Sequence, residues 1–196
     1  MTFTIAFLID FSAGILLTTA QLVYLKQVLK KEITPSLLPW LGWAFLLGIS
    51  FLSQMLEFGW NWVLAGLLFS TIGCFTICVS AFLTKNYVIA KKDWAYLLAG
   101  LLCVLGYVLF TNPWLTTISA VIADLILGIP MILKAIKNPH TEKSRAWNIA
   151  LISWSLTLFT CFDKSLLFAL FPLYLFLFNG TMAWITYQKK EQREMI

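Results

Sequence analysis

Apolar residues run through this chain in long blocks, separated by short clusters of lysine, proline, asparagine and glycine. A half-buried strand would alternate every second residue, and a soluble helix would keep its apolar side chains to one stripe. Charge-free blocks of about 20 residues are the length at which a helix crosses a hydrocarbon layer about 30 Å thick. Reading from break to break predicts seven helices, at about 3–25, 35–53, 59–84, 93–111, 113–135, 146–162 and 164–187. Lys30, Lys31 and Glu32 close the first, Pro35 opens the second near its first turn, and Asn112-Pro113 separates the fourth from the fifth. The expected fold is therefore an all-α membrane protein with seven transmembrane helices and short loops.

Charge gives these helices a direction. Lys26, Lys30 and Lys31 follow the first, Lys85, Lys91 and Lys92 the third, Lys134, Lys137, Lys143 and Arg145 the fifth, and Lys189, Lys190 and Arg193 the seventh. All but one of the 14 basic residues thus fall on one side, and only Lys164 lies opposite, near Glu57 and Asp163. The positive-inside rule makes the basic side cytoplasmic, with the N-terminus outside and the C-terminus inside. Six or eight spans would strand one basic cluster on the wrong face. At 60% hydrophobic and 12% charged, the composition lies far from that of a soluble domain. The net charge of +5 is divided among these loops, a topology signal and not a nucleic-acid surface. Cys74, Cys78, Cys103 and Cys161 all fall inside apolar blocks and read as small packing residues, not as a disulfide or metal framework. The first block has no basic segment before it and exceeds signal-peptide length, so it is expected to stay as a helix.

Aligned on itself at an offset of 114, the chain brings Asp10 over Asp124, Gly14 over Gly128, Trp40 over Trp154 and Gly66 over Gly180. Two intramembrane aspartates at one repeat position are worth more than any number of leucine matches. The offset maps helices one to three onto five to seven and leaves the fourth as a connector, which gives two halves in parallel orientation. The expected organisation is a three-helix bundle at 1–84, a linker helix at 85–112, a second bundle at 113–188 and a cytoplasmic tail at 189–196. This three-one-three plan resembles the SWEET and PQ-loop transporter superfamily, whose two three-helix bundles enclose a central solute path. Ala20-Gln21 stands near the place of that family's Pro-Gln, and the second half has Pro130-Met131. Pro130 follows Asp124 by 6 residues whereas Gln21 follows Asp10 by 11, so the two registers disagree. The resemblance implies that Trp154 stacks on a sugar-like solute and Asn179 hydrogen-bonds it, with Trp40 and Gln21 beside the path. It also implies that Pro130 is a hinge of the inner gate; a static kink reads equally well.

On the first helix Gly14, Thr18 and Gln21 follow Asp10 at helical spacing, and on the fifth Thr117, Ala120 and Gly128 flank Asp124. A charge near the bilayer centre costs at least about 2.5–3.5 kcal/mol on insertion scales, so each aspartate faces water, pairs or stays protonated. Either the two carboxylates couple protons or line a pathway, or they hydrogen-bond between helices that Gly14 and Gly128 let approach closely. Any single one of the nine tryptophans reads first as a packing or interfacial residue, Trp43, Trp60 and Trp62 among them. Lys134 and Lys137 are expected to snorkel toward headgroups, and residues 138–147 to form a solvated cytoplasmic turn.

No enzyme is expected. The one histidine, His140, lies in a loop, Val-Ile-Ala precedes Asp124 where aspartyl intramembrane proteases carry Gly-x-Gly, and the seventh helix lacks a retinal-binding lysine. No cofactor and no metal are expected. The reading is a small-solute transporter working by alternating access on a sugar, amino acid or vitamin-like substrate, with proton coupling left open. A non-transporting receptor or assembly subunit is the alternative, and an intramembrane hydrolase using the Asp pair a third. The expected partners are a small solute and the lipid bilayer, with self-association left open.

Overall fold

The computed structural model describes residues 3–59, 62–109, 113–161 and 166–188. Within these the chain is all-helical, with α1 (Phe3–Leu29), α2 (Leu37–Phe58), α3 (Trp62–Leu83), α4 (Asp93–Leu109), α5 (Pro113–Lys137), α6 (Ala146–Cys161) and α7 (Leu166–Gln188), and a 3₁₀ turn at Pro139–Glu142 before α6. Trp60, Asn112, Asp163, Lys164, Lys189, Lys190, Arg193 and the tail lie outside the described residues, as do the side chains of Glu57 and Trp62.

Among the described residues, three helices are long and apolar enough to cross a membrane: α1 over Phe7–Leu29, α5 over Thr117–Lys137 and α7 over Ala169–Tyr187. The protein is thus a helical membrane protein. Leu37–Leu52, Leu68–Leu83, Asp93–Cys103 and Ala146–Cys161 are apolar over shorter lengths. The 16 residues of α6 rise about 24 Å, less than the hydrocarbon thickness.

Backbone chemistry sets the helix ends. At the end of α1 the Glu32 N–H reaches back to the Gln27 carbonyl, and at the end of α3 the Asn86 N–H reaches the Ala81 carbonyl. In each case a lysine, Lys31 or Lys85, takes the left-handed conformation, at φ 58° and 51°. This closure satisfies carbonyls that the last turn leaves open. It also carries α1 four residues past the predicted end. α2 starts at Leu37, not at Pro35; its free first-turn donors accommodate Pro39, and the Leu37 N–H bonds the Val88 carbonyl. Val88 in turn donates to Pro35, forming a one-residue parallel bridge beside Ser36.

The chain divides into two compact units, one of residues 1–33 and 132–196, the other Thr34–Met131. This grouping differs from the expected bundles at 1–84 and 113–188. α1 packs on α6 and α6 on α7, while α2 packs on α3 and α4.

In the first unit small and hydroxyl-bearing residues share the interior with larger ones, while many large apolar side chains face outward. Ala13, Ala20, Ala150, Ser153 and Thr160 are buried, while Phe11, Ile15, Leu22, Ile152, Phe159 and Leu177 are exposed. Leucine gains nothing by hiding from lipid, so helices associate where small residues let backbones approach and hydroxyls bridge them. The Ser153 hydroxyl donates to the Ala13 carbonyl at 2.7 Å, joining α6 to α1.

The second unit is keyed by Leu127 of α5. A methyl group at Gly100 of α4 would sit 2.7 Å from Leu127 Cγ, and one at Gly42 of α2 would collide with its terminal methyls. Leu127 therefore fills a notch that only two glycines leave open. Gly100→Ala is expected to cost about 1–3 kcal/mol and lower the thermal midpoint in detergent. Trimming Leu127 to valine in the same chain should recover part of that loss. An unchanged midpoint for Gly100→Ala would show that Leu127 moves aside without penalty.

Candidate functional site

The polar residues expected to share one path fall into three environments. Asp124 is buried on α5 in the second unit, at 4% exposure, on a stripe with Ala120 and Gly128. The Trp43 indole of α2 donates to the Asp124 backbone carbonyl at 3.4 Å. Trp40 stands edge-on to Trp43 with ring centroids 5.3 Å apart, and Cys74 of α3 lies within electrostatic range of the carboxylate. Pro130 is buried on the same helix as Asp124. Trp43 is a packing residue here.

Asp10 is not its equivalent. It lies on the open side of α1, in the first unit, and accepts a 2.7 Å hydrogen bond from the Thr160 hydroxyl of α6. The α1 face that packs is Ala13, Ala20, Tyr24 and Val28, offset from the expected stripe of Asp10, Gly14, Thr18 and Gln21. Gln21 is half-buried, and the Thr18 hydroxyl bonds the Gly14 carbonyl of its own helix. Beside Asp10 a groove of about 260 Å³ is lined by Ile5, Leu8, Ile9, Ser12 and Leu156, an almost wholly apolar wall. Trp154 is half-buried and Asn179 buried in this unit, where the Asn179 amide donates to Leu175 one turn earlier at 2.7 Å. The set expected to line one path is thus split, with Asp124, Trp40 and Pro130 in one unit and Asp10, Gln21, Trp154 and Asn179 in the other.

The third environment lies in the turn at 138–147, where Asn138, His140, Lys143 and Arg145 are exposed as expected but Glu142 and Ser144 are buried. Glu142, at the end of the 3₁₀ turn, is fully buried at 0% exposure. Its Oε1 lies 2.5 Å from Lys134 Nζ at the end of α5, and its Oε2 accepts the Tyr24 hydroxyl of α1 at 2.6 Å. The Trp147 indole on α6 donates to the Glu142 carbonyl at 2.9 Å and stands edge-on to the Tyr24 ring. Lys134 is therefore an internal counter-ion and not a headgroup contact. Ser144 completes the arrangement: its hydroxyl caps α6 by accepting the Ala146 N–H and donates to Gln27 of α1 at 2.5 Å. The sequence carries one faint sign of this cluster. Glu142 is the lone acid among Lys134, Lys137, Lys143 and Arg145.

Among the described residues no group of three or more His, Cys, Asp or Glu is placed to hold a metal ion. No family model, curated protein or solved structure matches the chain.

A charge held at 0% exposure is strongly destabilising once its partner is removed, by about 3–5 kcal/mol, whereas an apolar pair of similar volume can replace both charges nearly neutrally. Lys134→Met and Glu142→Gln are each expected to lower the unfolding midpoint in detergent, and Lys134→Met/Glu142→Leu to regain most of it. A double variant no more stable than the worse single one would show that Tyr24, and not the lysine, holds the carboxylate.

Proposed function

We propose that the chain is a small-solute membrane transporter working by alternating access, with Asp124 on its pathway. The observation that carries this reading is a carboxylate at 4% exposure in the middle of a candidate membrane span. Ionisable groups are expensive at that depth and mark solute or proton routes in membrane proteins. Further support comes from Pro130. The boundary between the compact units falls one residue beyond it, after Met131, so α5 belongs to both. Proline removes a backbone hydrogen bond there and makes that point of the helix easiest to bend. The bodies that move are on this reading the two units of the structure, and the kinship proposed with SWEET and PQ-loop carriers rests on helix number and order.

Trp40, edge-on to the packed Trp43 in the same unit as Asp124, is the aromatic side chain that this reading assigns to the pathway, suited to a flat or cationic solute, whether a sugar, an amino acid or a vitamin-like molecule. Asp10 acts structurally through Thr160. The proposal includes seven spans, with the N-terminus outside and the C-terminus in the cytoplasm, because the basic residues gather at the ends of α1, α3 and α5.

Uptake into proteoliposomes across a panel of sugars, nucleosides and amino acids tests the function. Asp124→Asn is expected to reduce saturable uptake by about tenfold or more, while Asp10→Asn stays within about twofold, since an amide still accepts from Thr160. If folded protein takes up no solute, the receptor or assembly-subunit reading replaces transport. Cysteines substituted for Lys91 and Lys143 test the topology: a membrane-impermeant maleimide should label both only from the cytoplasmic face. Labelling of either from outside rules out this arrangement.

A further inference from the structure

The structure assigns to one end of the α1–α6–α7 unit a binding site for the phosphate of an anionic lipid headgroup, built by a side-chain clip and not by charge alone. Lys26, Lys30, Lys31, Lys137, Lys143 and Arg145 are all exposed in this unit, at the ends of α1 and α5 and in the turn leading to α6. Lys134 is withdrawn from this set by Glu142. Among the described residues at this end the exposed acid is Glu32, which sits 3.8 Å from Lys30 with both side chains about half exposed, a pair too solvated to neutralise the rim.

Gln27 ties the turn before α6 to α1. Its Oε1 accepts the Ser144 hydroxyl at 2.5 Å and its Nε2 donates to the Lys143 carbonyl at 3.5 Å. One side chain of α1 thus fastens the backbone that carries Lys143 and Arg145 to the helical turn that carries Lys26, with Lys30 one turn further along the same helical face. The clip is neutral, yet it holds two charged segments together.

The level of the rim fits a headgroup. Leu22 and Leu29 are exposed on the same last turns of α1, and Trp184 and Tyr187 are exposed at 61% and 72% on the last turns of α7, which packs on the 3₁₀ turn. Aromatic rings with a polar edge collect where hydrocarbon gives way to headgroups, and lysine and arginine beside them meet the phosphates. The occupant is therefore a lipid presented in the plane of the bilayer. It requires only that the protein is membrane-embedded, whether or not it transports.

The unfolding midpoint of the full chain in nanodiscs of phosphatidylcholine, with and without phosphatidylglycerol, tests this. The anionic lipid should raise the midpoint, and Lys26→Gln/Lys30→Gln/Arg145→Gln should lose at least about half of that shift. Lys85→Gln/Lys91→Gln/Lys92→Gln removes the same charge from the other unit and should keep it. Gln27→Ala removes no charge and should nonetheless lose a large part of the shift, with Ser144→Ala as a second disruption of the clip. Reading each variant as a difference between the two lipids removes any general loss of stability. Equal losses in the two triple variants, or a full shift in both Gln27→Ala and Ser144→Ala, overturn the site in favour of diffuse attraction. Stabilisation by soluble glycerol phosphate in phosphatidylcholine discs overturns the lipid as its source.

Discussion

Glu142 holds a carboxylate where no water reaches it, and the unit of α1, α6 and α7 is organised around satisfying that group. Tyr24 arrives from α1, Lys134 from the end of α5, and Trp147 from the first turn of α6. A desolvated charge tolerates few alternative arrangements, because each lost partner leaves a penalty that packing cannot repair. Register between α1 and α6 follows from it, and further along the pair the Ser153–Ala13 and Thr160–Asp10 bonds fall into line. The Gln27 clip lies one helical turn beyond Tyr24, so the cationic rim inherits its geometry from the same anchor.

Elsewhere selection of neighbours depends on volume. With large apolar side chains turned outward, contact between helices is decided by where a side chain can be omitted. Leu127 against Gly42 and Gly100 is the extreme case, and the alanines of α1 and α6 are the milder one.

The blocks of apolar sequence were sufficient to place the helices to within a few residues, because the breaks are chemical: lysines in left-handed closures, prolines in first turns. What packs on what was not legible. An offset of 114 equates Asp10 with Asp124, yet a hydroxyl from α6 reaches the carboxylate of one while an indole of α2 bonds the backbone carbonyl of the other, and those neighbours lie far away in sequence. Nothing local marks Glu142 as buried, because its partners stand at positions 24, 134 and 147 and no short pattern joins them. Gly42 and Gly100 likewise acquire meaning only from Leu127. Local chemistry is written in short windows, and the interior of this protein is made of distant pairs.

Residues 34–131 form one unit, and they interrupt the other between its first helix and the rest. During synthesis α1 therefore leaves the ribosome well before α6 and α7 exist, by about 5–20 s at ordinary elongation rates. Throughout that interval Asp10 and Tyr24 lack Thr160 and Glu142. A nascent chain holding an orphan first helix is the stage at which a membrane chaperone or the insertion machinery itself has most to shelter, and the inserted unit can complete its own packing first.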